Sequence, residues 1–198
     1  MSKRVEFFFD VGSPASYLAW TQLPSICAHA GASLEYRPML LGAVLQATGN
    51  ASPGAIPAKG RYTAVDLGRF ARRYNVPLII NPNFPINTLN LMRCITGVQL
   101  RSPDSFLGFV KLVFDALWVR ELNLGDDDVL ARLLRQGGFD PAQVLGWASS
   151  DAVKTALRGT TDEAVRRGVF GAPSVFVDEV LYFGQDRLDF VREALHDQ

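Results

Sequence analysis

The sequence predicts an α/β fold in which a βαβ unit is followed by a block of helices and then by a closing helix, hairpin and helix. Three observations carry this. The apolar run Val5 to Asp10 is followed by helix signals and a second, alternating run from Ser33 to Arg37; apolar stripes at helical spacing fill the middle of the chain; and short β-rich runs return between Ser174 and Phe183.

Val5-Glu6-Phe7-Phe8-Phe9-Asp10 reads as a buried strand closed by Val11-Gly12. Ser13-Pro14 then starts a helix, since serine accepts a hydrogen bond from the first turn and proline at the next position loses no needed donor. The helix runs through Leu18, Leu23 and Ile26 to about Gly31. Leu34 and Tyr36 share one face of the second strand, which Pro38 stops, and the unit implies parallel pairing. From Gly42 to Gly60 the signals Gly49-Asn50, Pro53-Gly54 and Pro57 predict an irregular loop longer than a connection requires.

Helices are then expected over Tyr62 to Tyr74, from near Asn87 (Leu91, Ile95, Val98), and from Ser102-Pro103 (Phe106, Val110, Val113, Phe114, Leu117). Further helices follow over Asp126 to Arg135, from Asp140-Pro141, and up to about Gly168. Ser174 to Val177, the turn Asp178-Glu179 and Val180 to Phe183 form a hairpin, and Gly184 precedes a last helix capped by Asp186.

A chain of 198 residues, 48% hydrophobic and 20% charged, is expected to bury one sizeable core. Its 20 basic residues balance its 20 acidic ones, so no overall field favours nucleic acid or an anionic membrane, and a small molecule is the expected partner. Asp10 stops the apolar run after Lys3 and Arg4 far short of a signal core, and no uncharged stretch approaches the roughly 20 residues that span a bilayer. A cytoplasmic location is expected. Cys27 and Cys94 lie far apart in apolar helical patterns, as reduced core residues do. His29 and His196 are too separate for a metal set, so no metal is expected. Asp126-Asp127-Asp128 reads as a helix N-terminal charge cluster and Arg69, Arg72 and Arg73 as a solvated helix face.

Taken singly, Ser13 is a cap, Gly171-Ala172-Pro173 a turn and Gly184-Gln185-Asp186 a helix start; a sheet shared by the βαβ unit and the hairpin would bring all three together. In this order they resemble the kappa-class glutathione transferases and the bacterial 2-hydroxychromene-2-carboxylate isomerases of the DsbA-like branch of the thioredoxin fold. The likeness rests on residues 9 to 18 (Phe-Asp-Val-Gly-Ser-Pro-Ala-Ser-Tyr-Leu), on Gly49-Asn50, Pro57-Ala58-Lys59-Gly60 and Asp66-Leu67, and on Phe84-Pro85-Ile86-Asn87. It continues through Val169-Phe170-Gly171-Ala172-Pro173 and Phe183-Gly184-Gln185-Asp186-Arg187. Phe84 to Thr88 with Leu91-Met92-Arg93 resembles the isomerases more than the transferases.

The resemblance implies a thioredoxin-like (DsbA-like) fold with a large all-helical insertion between the βαβ and αββα halves. Residues 1–40 and 151–198 would form the thioredoxin-like domain, 41–150 the connecting loop and inserted helical domain, and the protein would be a homodimer. Ser13 and Ser16 stand where a redox relative carries Cys-x-x-Cys, which excludes dithiol exchange at this turn and implies a borrowed thiol, that of glutathione. With an ordinary thiol pKa of about 8.5, its thiolate needs the Ser13 hydroxyl and the helix N-terminus to form near neutrality. By the same resemblance Asn50 and Lys59 meet glutathione's glycine end. Ala172, before an expected cis Pro173, pairs with its cysteinyl part, and Gln185 and Asp186 hold the γ-glutamyl end. Tyr17, Phe84 and Trp118 are the candidate walls of the substrate pocket.

The activity implied is isomerisation of 2-hydroxychromene-2-carboxylate or a related unsaturated keto acid by reversible thiolate addition. Two alternatives share the site: a kappa-like transferase that keeps the thiol on its electrophile, and a non-catalytic DsbA-like module that binds extended peptides or protein partners beside Pro173.

Overall fold

The computed structural model describes residues 3–196. Strand β1 (Arg4–Phe9), helix α1 (Pro14–Ala30) and strand β2 (Ser33–Pro38) form the βαβ unit, with β1 and β2 parallel. Strands β3 (Ser174–Val177) and β4 (Val180–Phe183) complete a four-stranded sheet of order β2-β1-β3-β4, in which β3 is antiparallel to both β1 and β4. The hairpin thus falls where its sequence predicts, and it brings residues 171 to 173 to the end of β1 that leads into α1, with Phe8 opposite Ser174.

Strand alternation sends Val5, Phe7 and Phe9 into the main core, where Phe7 and Phe9 stack at 5.0 Å and Phe9 meets Phe114 at 6.0 Å. Phe8 enters a smaller core with Met39, Val44, Ala164, Val169 and Phe176. Each of these phenylalanines is wholly buried, which stabilises the fold by roughly 1.5–3 kcal/mol per ring. Glu6, on the Phe8 side, is also buried, and it pairs with Arg4 and Arg167 at 2.8 Å and Arg37 at 3.3 Å. Arg167 in turn lies over the Phe176 ring at 3.9 Å. Burial pushes the Glu6 carboxyl up, but its bonds to Arg167 and Arg4 outweigh this and hold it below the ordinary range.

Helix α1 begins as its sequence predicts, with Ser13 as cap and Pro14 in the first turn, and it ends at Gly31 in the left-handed conformation. It also continues through Pro24. The region from 42 to 60 departs from the expectation of one long loop. Helix α2 (Leu41–Thr48) occupies its first part, a 3₁₀ turn spans Pro53–Ala55, and helix α3 (Pro57–Tyr74) begins five residues before Tyr62. The reason is local and tertiary together. Ala43, Leu45 and Ala47 favour helix, Val44 buries in the smaller core, and Pro57 takes the first helical position rather than breaking a loop.

Helices α4 (Leu89–Arg101), α5 (Phe106–Trp118), α6 (Asp127–Gln136), α7 (Pro141–Ser149) and α8 (Asp151–Arg166) follow, with Asp126, Asp140 and Ser150 as side-chain caps for the last three. The final helix, α9 (Leu188–His196), is entered through a 3₁₀ turn over Gln185–Arg187. Asp186 therefore lies inside that turn and does not cap the helix; its carboxylate pairs with Arg187. Among the described residues, no helix is long and apolar enough to cross a membrane. Cys27 and Cys94 are buried and free, and burial pushes their thiols up to about 11 and about 12.

Candidate active site

Ser13 joins β1 to α1, and its side chain faces two ways. The Oγ accepts from Ser16 N–H at 3.1 Å, closing the cap, and donates to the carbonyl oxygen of Ala172 at 3.1 Å. Ser13 is nearly buried, with 5% of its surface exposed. The first turn of α1 carries no acidic residue, Pro14 has no N–H, and Ala15 N–H has no partner among the described residues. An anion beside Ser13 would meet a hydroxyl donor, a free N–H and the positive end of a 17-residue helix.

The turn is held from behind by residues distant in sequence. Asp10 is buried, and its Oδ1 accepts from Gly12 N–H at 2.8 Å while its Oδ2 accepts from Leu41 N–H at 2.9 Å and Thr88 Oγ1 at 3.0 Å. Burial pushes its carboxyl up, with the three donors pulling the other way. Trp118 Nε1 donates to Val11 O at 2.8 Å. Asp10 bonding two residues ahead is a turn signal present in the sequence but not used there; Thr88 is 78 positions away and left no local trace.

Across the turn, the Ala172-Pro173 bond is cis, as expected, and Phe84-Pro85 is also cis, which the sequence reading did not foresee. Ala172 N–H has no partner among the described residues, while Pro173 O accepts from Gly184 N–H at 3.0 Å. Asn50 follows α2 and is exposed; its Nδ2 donates to Phe170 O at 2.9 Å, tying this loop to the segment before Ala172. Lys59 is exposed in the first turn of α3, makes no ion pair among the described residues, and sits at a helix start with no side-chain cap. Gln185 is buried, and its carbonyl accepts from Tyr74 Oη at 2.6 Å, which fixes the segment carrying Asp186 against α3.

The three expected pocket walls separate. Tyr17 is 3% exposed, donates to Pro77 O at 2.9 Å and lies against Phe114, and Trp118 is 1% exposed. Both belong to the core rather than to an open wall, because each polar atom already finds a backbone partner inside. Phe84 is 40% exposed, and its ring centre lies 5.8 Å from that of Trp118, whose Nε1 holds the Val11 carbonyl. Phe170 and Phe183, 40% and 38% exposed and 4.6 Å apart, flank the Ala172 turn; no site role was expected of them.

A sheet with the cis Pro173 turn facing the start of its first helix is the thioredoxin arrangement, and the profile of the DSBA-like thioredoxin domain matches residues 4–196. The 2-hydroxychromene-2-carboxylate isomerase of Sphingobium xenophagum is 32% identical over 199 residues, the whole of both chains. Glutathione S-transferase kappa 1 of Rattus norvegicus is 28% identical, covering 96% of this chain and 90% of the relative. A solved 2-hydroxychromene-2-carboxylate isomerase superposes with a TM-score of 0.84 at 29% identity, covering 97% of this chain and 94% of that one. The chain is a DsbA-like thioredoxin-fold protein. Within that fold it belongs to the family of the 2-hydroxychromene-2-carboxylate isomerases and kappa-class glutathione transferases.

Proposed function

We propose that the protein is a glutathione-dependent isomerase that interconverts 2-hydroxychromene-2-carboxylate and trans-o-hydroxybenzylidenepyruvate, or a closely related aromatic catabolite. The observation that carries this reading is the Ser13 hydroxyl at the start of α1, 3.1 Å from Ala172 O, in a fold whose redox members need cysteines that this turn lacks. The donor set fits a thiolate. Bound there, glutathione supplies a thiol that adds reversibly to the conjugated chain of the ring-opened form, whose hemiketal C–O bond has broken to phenol and ketone, so that a double bond becomes a single bond free to rotate until the thiol is released.

The chain's own residues bind and orient. Ser13 turns its hydroxyl proton from Ala172 O to the sulfur, and Ala15 N–H with the α1 dipole favours the anionic form. Lys59, at the uncapped start of α3, suits the glycine carboxylate. Ala172 N–H is free to pair with the cysteinyl backbone, with Gln185 and Asp186 for the γ-glutamyl end and Asn50 for the glycine side. Phe84, Phe170 and Phe183 are exposed rings on segments adjoining the site and are assigned here to an aromatic substrate.

The test is thiol titration during turnover, with chromatography of the products. Catalytic glutathione, constant free thiol and the same final mixture from either isomer are expected. Stoichiometric thiol loss with a stable conjugate would replace the isomerase with a kappa-type transferase. Full-rate interconversion without glutathione would reject both.

A further inference from the structure

We propose that Asp10 is the positioning residue of this site, acting with Thr88: its carboxylate locks the Gly12-Ser13 turn, the start of α2 and the entry to α4 into one arrangement. The inference rests on the reading of Ser13 as thiolate donor and adds to it a residue that touches no substrate. Asp10 accepts one bond from each of three segments: Gly12 N–H at 2.8 Å, Leu41 N–H at 2.9 Å and Thr88 Oγ1 at 3.0 Å. Its own backbone carbonyl accepts from Ser13 N–H at 3.0 Å, so Asp10 holds the turn twice, at Gly12 through its side chain and at Ser13 through its backbone.

Two of the three donors are backbone N–H groups, which cannot accept a proton. Asp10 is therefore the acceptor for both backbone groups, with burial pushing its carboxyl pKa up and the three donors pulling the other way. The segments it joins are those that carry the site: Ser13 follows Gly12, Asn50 closes the helix that Leu41 opens, and Phe84 precedes Thr88 on one short stretch.

A second observation concerns shape. A Cβ built on Gly12 would lie 2.7 Å from Thr88 Cγ2, closer than carbon atoms pack, while Gly12 does not occupy the left-handed region. Glycine is needed here so that Thr88 can reach the carboxylate. Thr88 and Gly12 thus fit one another as methyl and gap, and the Thr88 hydroxyl completes the lock.

The test uses the intact protein carrying Thr88→Val, which keeps shape and loses the donor, and Thr88→Ser, which keeps the donor and loses the methyl. Thr88→Val is expected to lower kcat about tenfold with KM for glutathione within about twofold, and to raise the pKa of the bound thiol read from thiolate absorbance. Thr88→Ser should restore most of the rate. Hydrogen exchange at Gly12 and Leu41 should quicken in Thr88→Val, a readout that needs no substrate.

A folded Thr88→Val with unchanged kcat, thiol pKa and exchange overturns the inference. So does a Thr88→Ser protein as impaired as Thr88→Val, because packing alone would then be responsible. If Thr88→Val does not fold, Gly12→Ala displaces Thr88 without removing a polar group and carries the same expectations. Absence of glutathione-dependent turnover in the unaltered protein would instead sink the functional reading, and the exchange measurement would still decide the lock.

Discussion

The hydroxyl of Ser13 donates to the carbonyl of Ala172 at 3.1 Å, joining residues 159 positions apart. The hydroxyl has one proton, so an arriving thiolate must take it from a neutral acceptor, and the exchange favours the anion because hydrogen bonds to charged groups are the stronger.

Ser13→Ala is expected to fold and to lose turnover. Loss of the cap costs about 0.5–2 kcal/mol of stability, whereas the bond to a charged sulfur is worth about 1.5–3 kcal/mol, or roughly a ten- to hundredfold loss in rate. Thermal melts alongside turnover check both. A folded variant with undiminished rate removes Ser13 from the chemistry. The neighbouring Ser16 gives the contrast: it is buried, and its Oγ has no hydrogen-bond partner among the described residues. Ser16→Ala should leave stability unchanged or raise it by up to about 1 kcal/mol in urea titrations, and a clear loss would mean that the hydroxyl is bonded after all.

Lys59→Ala and Asp186→Ala should each weaken glutathione binding measured by calorimetry. Lys59 is exposed, so its contribution belongs to the range of about 0.2–1 kcal/mol for wet ion pairs, up to about fivefold in affinity, and should shrink in high salt. Asp186 is paired with Arg187, and its effect includes the loss of that pair. Unchanged affinity in both would place the tripeptide elsewhere.

Glu6→Gln should destabilise the protein by about 2–3 kcal/mol without touching the site. This lies below the roughly 3–5 kcal/mol of a broken, fully buried pair, because Arg4 remains half in water. The Glu6 carboxyl is held below its ordinary 4.5, so its stabilisation is complete above that pH and is lost as pH falls through the lower folded value. Chemical denaturation below pH 5 should show the unaltered protein losing part of its advantage over Glu6→Gln, and parallel pH curves would contradict this.

Cys27 and Cys94 should resist thiol reagents in the native protein at pH 8 and react only on unfolding. Their thiols are raised from 9.0 to about 11 and about 12 by burial. The sign follows: the folded state favours the protonated thiols, so this contribution is whole below pH 9 and is lost as pH rises through the folded values. Tyr17 and Tyr36, both pushed up to about 12, add to the same alkaline loss. Rapid native labelling of either cysteine would show that the burial is not maintained in solution.

Much of the fold is written in local pattern. The β1 run, the Ser13-Pro14 start, the Gly31 stop and the hairpin turn at Asp178-Glu179 each depend on neighbours within a few residues, and each falls where its sequence predicts. The region 42 to 60 misled because glycine and proline mark helix ends as well as loops: Gly49 ends α2 and Pro57 opens α3. The burial of Tyr17 and Trp118 is not legible in the sequence for another reason. An aromatic residue with a polar tip reads the same in a sequence whether that tip meets solvent in a pocket or a buried carbonyl.

By itself the sequence determined the order of elements, the serine in place of a reactive cysteine and the family to which the chain belongs. Those follow from residue identity and short-range spacing. Only the tertiary structure decided that Asp10, Leu41 and Thr88 share one carboxylate, that Ser13 faces Ala172, and that Phe84 is open while Trp118 is closed. These depend on which strands pair and which helix ends meet, because a hydrogen bond formed over 78 or 159 positions is specified by packing of the core and leaves no periodicity in the chain.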